Sequence, residues 1–205
     1  RLEMMPSREL IHLCADLDLS ELPKERFRTE FDKWFGLGVR PSLGLQLLFD
    51  AALHRHFIGL STLSETQRED LGLLLDAIPN ITKAKRHHRI SLSLAVTGFY
   101  FEKENTADAI DLQRPETGPW SPHHRDTTSS RLLLQFVEAI GQPHKAQDQS
   151  LCWLLTLEWL NHAPEPELSD GTVRRLASYL NTVDIPLSIW LKSIRVTNFA
   201  SNEWV

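Results

Sequence analysis

Between residues 20 and 38 the chain reads SELPKERFRTEFDKWFGLG, with Phe27, Phe31, Trp34 and Phe35 recurring at i, i+4, i+7 and i+8. That spacing lays four large apolar side chains along one stripe of an α-helix and leaves the charged residues on the other side. A stripe this bulky must be covered by other elements, so it commits the chain to a packed core. On the polar side Arg26 and Glu30, and likewise Arg28 and Asp32, stand four apart. Each pair is expected to meet across a turn and add about 0.2–0.5 kcal/mol. Gly36 and Gly38 are expected to stop the helix.

The helical period continues along the chain. Pro41-Ser42 opens a helix with Leu43, Leu47, Leu48 and Ala51 on one side, expected to run toward His54-Arg55-His56, since positive groups suit a helix C-terminus. Ser64-Glu-Thr-Gln67 reads as a capping box before Leu71, Leu74, Leu75 and Ile78, with Pro79-Asn80 as the stop. Ile90, Leu92, Leu94 and Val96 alternate as a strand would, but a lone strand among helices has no partner, so a helix is expected. Residues 102–122 carry Asn105, Pro115, Gly118, Pro119 and Pro122 and read as the main loop. Leu132, Leu133, Phe136, Val137 and Ile140 form a helical face closed by Gly141, and Leu151, Leu154, Leu155 and Trp159 form the next. Ser169-Asp170 caps a helix with Leu176 and Leu180 inward and Arg174 and Arg175 outward, and a last segment starts at Pro186. The expected architecture is all-α, an irregular helical bundle of about nine helices, with no exact internal repeat.

At 41% hydrophobic and 24% charged, the 205 residues have the composition of a globular chain. Cys14 and Cys152 stand far apart without a CxxC partner, which points away from a disulfide framework and toward a reducing cytoplasm. Both read as buried small hydrophobes. The longest apolar stretch, residues 92–101, is broken by Ser93, Thr97 and Gly98 and falls short of the roughly 20 residues of a membrane span. A net charge of −5 argues against coating nucleic acid through bulk charge, yet leaves room for a local basic patch. The candidate is KAKRHHR: Lys83, Lys85, Arg86 and Arg89, with His87 and His88, fit either a grip on an RNA phosphate backbone or a solvated helix start. Arg174 and Arg175 carry the same two readings. Phe27, Phe31, Trp34, Trp159 and Trp190 lie on apolar stripes and are expected in the core, not as base-stacking platforms.

Two short runs have the letters of metal sites. SPHHRD, residues 121–126, packs His123, His124 and Asp126 together, but this is only part of a coordination sphere, and Asp126 also fits the cap of the helix through Leu132. Asp16-Leu17-Asp18 spells a carboxylate pair, yet no glycine-rich strand-loop precedes it. No metal ligand set and no catalytic residue are expected from either.

The run from Leu22 to Lys33, followed by Arg40-Pro-Ser-Leu-Gly-Leu-Gln-Leu-Leu48, resembles the segment in which bacterial tRNA nucleotidyltransferases and related poly(A) polymerases write ER, a spaced Glu and Lys, then RPSLGL and a leucine pair. Ser169-Asp-Gly-Thr-Val-Arg-Arg-Leu-Ala177 resembles their SDxxVRRLA helix. The resemblance implies a poly(A) polymerase C-terminal-region-like fold, with residues 1–80 as a neck-like region and 81–205 as a body with degenerate HD-like helices. It implies a tRNA or other RNA 3′ end as partner. Glu25, Arg26, Glu30 and Lys33 would then buttress the neck against the nucleotide pocket; the alternative is a set of surface ion pairs. Magnesium and CTP or ATP belong, in that family, to a head with a GS loop and a DxD pair, which these residues lack. Arg1-Leu-Glu-Met-Met5 opens without methionine in a helical pattern, and a portion of something longer is expected. Many relatives end an apolar helix in LLHD, but here residues 93–103 contain no His-Asp pair. Two rivals stay open: an HD-type metal phosphohydrolase working through His123 or His124, and a helical interaction module with no RNA role.

Overall fold

The aromatic stripe of the opening run sits on the second of seven α-helices in a computed structural model that describes residues 6–80, 85–101 and 128–162. The helices are α1 (Arg8–Ala15), α2 (Lys24–Leu37), α3 (Pro41–Asp50), α4 (Glu65–Ala77), α5 (Arg86–Phe99), α6 (Thr128–Ala139) and α7 (His144–His162). No strand occurs among the described residues, so the chain is all-α there. The helices expected around 169–180 and from 186, the loop 102–122 and the cap at Asp126 lie outside them.

The alternating run in α5 is a helix for a reason visible in its burial. Ser91 and Ser93, on what would be the polar face of a strand, are as fully buried as Leu94. A helix absorbs such hydroxyls into its own carbonyls: Ser91 Oγ donates to His88 O at 3.2 Å and Thr97 Oγ1 to Ser93 O at 2.8 Å. The result is a helix buried all round from Ile90 to Gly98, with Arg86 and His87 at its start exposed, packed most extensively on α7 and also on α2, α6 and α4. Around it gather Phe31, Phe57, Phe101 and Phe136 in edge-to-face contacts of 5.3 to 6.1 Å.

Several local expectations change. On α2, Glu30 pairs forward with Lys33 at 2.7 Å instead of with Arg26, and Asp32 accepts from Gln142 Nε2 at 2.9 Å instead of meeting Arg28. Three residues apart already suffice for a helix pair, and Asp32 is drawn to the neighbouring segment. α3 stops at Asp50, where Ala52 takes a left-handed φ of 53°, and Leu53–His56 form a separate 3-10 turn. The cation of that turn serves a different helix end: Arg55 Nη2 donates to Ala15 O, the last residue of α1, at 2.5 Å. α7 begins at His144, ahead of the expected face from Leu151. Cys152 is buried, whereas Cys14 is only half-buried. The capping box at Ser64 and Gln67 forms as expected.

Candidate functional site

The RPSLGL run is fixed by its own proline and by two neighbours, Asp76 and Trp34. Pro41 occupies the first turn of α3, where its missing N–H is no loss. Ser42 gives both its backbone N–H and its hydroxyl to Asp76 of α4, at 2.8 and 2.6 Å, so a side chain from another helix caps α3. Trp34 Nε1 donates to Pro41 O at 2.7 Å, with its indole lying against Gly44, where a Cβ would meet Nε1 at 2.4 Å.

The α2–α3 turn is held from its other side by the basic segment. Arg89 Nη2 donates to Gly38 O at 2.7 Å, placing a guanidinium against the C-terminal end of α2. Burial lowers the pKa of that guanidinium from its ordinary value, and Nε has no hydrogen-bond partner among the described residues. Arg86 passes over Gly36, where a Cβ would stand 2.7 Å from its Cγ. Lys85, the N-cap of α5, and Arg86 are exposed, and Lys85 makes no side-chain cap bond. Lys83, Arg174 and Arg175 lie outside the described residues. The start of α5 thus meets the α2–α3 turn through Arg86 at Gly36 and Arg89 at Gly38, and Arg40, which sequence reasoning passed over as a cation, stands two residues further along that turn. The only signal for Arg40 was its place beside Pro41; that its turn is bonded to α5 through Gly38 is a tertiary fact.

The neck residues occupy the other half of α2. Glu25, Arg26 and Glu30 line an open cleft of about 690 Å³ whose apolar wall is formed by Leu19, Leu22, Phe27, Phe31, Leu48, Leu53 and Phe57. Lys33 reaches it only through its pair with Glu30, and both side chains are largely solvated, so that pair adds little. From Arg26 to Leu37 the helix rises about 16 Å at about 1.5 Å per residue, so the cleft and the cationic corner are separate places on one helix.

The Asp16-Leu17-Asp18 run caps a helix end. Asp16 is the C-cap of α1, and Asp18 Oδ1 accepts from Ser20 N at 2.9 Å. Hydrogen bonds from the Ser20 backbone and hydroxyl, with His56 adding a smaller attraction, hold the Asp18 carboxyl below the usual range. Among the described residues no three His, Cys, Asp or Glu side chains are grouped as metal ligands would be; His123, His124 and Asp126 lie outside them. No described helix is long and apolar enough to cross a membrane. Comparison with family models, with curated proteins and with solved structures gives no match.

Proposed function

We propose that this chain is the helical neck-and-body portion of a tRNA nucleotidyltransferase or poly(A) polymerase-like protein, a module that holds an RNA 3′ end. The observation that carries the reading is the convergence of Glu25, Arg26 and Glu30, the residues of the neck-like motif, on one open cleft. An apolar floor edged by both signs of charge suits the docking of another protein domain, and a nucleotidyltransferase head outside these residues is the occupant this reading assigns. Such a head would bind magnesium with CTP or ATP and transfer CMP or AMP; these helices would supply the grip on RNA through its shape and phosphates. The exposed cations Lys85 and Arg86 support the second part.

An electrophoretic shift of labelled tRNA by the 205-residue chain, repeated at rising salt, tests it. Binding that weakens linearly with log salt is expected. Absence of any shift at low salt would count against RNA holding and favour an interaction module without RNA.

A further inference from the structure

The structure assigns a phosphodiester-binding face to the α2–α3 turn and the start of α5: Arg40, Lys85 and Arg86 are the phosphate-contacting cations, and Arg89 is the positioning residue behind them. This rests on the RNA-holding reading above and specifies where the backbone lies.

Positive charge collects here without a carboxylate partner among the described residues for the α5 cations. Among the described residues no carboxylate lies within 4.0 Å of Lys85, Arg86 or Arg89. Even Arg40 is weakly compensated: Asp76 stands 4.0 Å from its Nε, and the same carboxylate already accepts from Ser42 N and Ser42 Oγ. The Arg40 side chain stays 68% exposed. A chain of net charge −5 thus gathers cations of one sign at a corner where the positive end of α5 adds to them. Like charges so placed repel, and a polyanion relieves the repulsion.

The corner is also rigid. Arg89 ties Gly38 to α5, and Trp34 ties Pro41 to α2, so Arg40 leaves a turn held on both sides. Cations fixed before binding lose less freedom on contact, and a guanidinium fork matches a phosphate through two parallel hydrogen bonds. Leu37 and Val39 project from the same turn, Val39 at 82% exposure. Two isolated aliphatic side chains are too little apolar surface for a membrane anchor, which needs a broad amphipathic face. They are enough to lie beside a ribose.

The test is a salt series of tRNA binding for the unmodified chain and for Arg40→Ala/Lys85→Ala/Arg86→Ala, whose folding is checked by circular dichroism. The triple variant is expected to lose at least about tenfold in affinity, and the slope of log affinity against log salt to shrink by about two to three. Arg8→Ala/Arg28→Ala, which removes exposed cations elsewhere, is expected to leave both unchanged. Arg89→Lys is expected to weaken binding with the slope preserved; a smaller slope there would overturn its positioning role. If the unmodified chain binds tRNA and the triple variant keeps its slope, the face is wrong while the RNA reading stands. If the unmodified chain binds no tRNA at any salt, both fall. Binding to phosphatidylserine vesicles in place of tRNA would overturn the assignment in favour of a membrane surface.

Discussion

Gly44 illustrates how a motif letter becomes a contact. A Cβ there would stand 2.4 Å from Trp34 Nε1 and 2.7 Å from Cε2, and the indole cannot swing away without breaking its 2.7 Å bond to Pro41 O. Gly44→Ala is therefore expected to destabilise the fold by about 1–3 kcal/mol, the cost of overpacking. Urea unfolding would show a lower midpoint at an unchanged slope. Trp34 was legible as part of an apolar stripe. Its hydrogen-bond partner was not, because a side-chain donor on one helix meets a backbone acceptor on the next only after both have folded. Tyr100 gives a second residue-scale prediction. Burial, with the charge of Asp70 adding, pushes its pKa up to about 12. An unfolded tyrosine loses its proton near about 10, so above that pH the unfolded state binds fewer protons than the folded one and stability falls. Between about pH 8 and about pH 11 the chain is expected to lose about 1 kcal/mol on this account, and Tyr100→Phe is expected to remove that portion of the loss.

At the scale of elements, α5 decides the architecture. Its strand-like alternation misleads a reading that assigns every polar letter to solvent; Ser91 and Thr97 are buried with their hydroxyls turned to helix carbonyls, and Ser93 is small enough to be buried although its hydroxyl has no hydrogen-bond partner among the described residues. The neighbouring helices, not the local pattern, settled the matter. Boundaries were less legible than existence: α3 ends before the His54–His56 run because Ala52 turns left-handed, a break that no glycine or proline announces at that position. Asp76 caps α3 from 34 residues away, which no local rule reveals. Gly98 marks where α5 meets α6: a Cβ would lie 3.0 Å from Leu133 Cβ, an atom fixed to its own backbone in a fully buried side chain. In an exposed helix, replacing glycine by alanine stabilises by about 1 kcal/mol. Here the steric cost wins, and Gly98→Ala is expected to destabilise by about 1–3 kcal/mol in thermal or urea unfolding.

Across the whole molecule, stability and surface are held by different parts. The core gathers around α5, with Leu94, Leu133, Phe136 and Trp153 fully buried. α1 contributes no buried residue, yet exposes Leu10 and Leu13 at i and i+3, with Leu17 exposed just past its end and Leu13 at 68% exposure. Such leucines on a helix joined to the rest through Arg55 and Ala15 add little to folding, because half or more of their surface stays in water. Leu10→Glu with Leu13→Glu is accordingly expected to change the unfolding free energy by no more than about 0.5 kcal/mol, whereas Leu133→Ala is expected to cost about 2–5 kcal/mol through the cavity it opens. Denaturant unfolding of the two variants side by side decides the matter. A large loss from the α1 variant would mean that its leucines are covered in the folded chain and belong to the core, leaving the basic corner at α5 as the surface with unspent interactions.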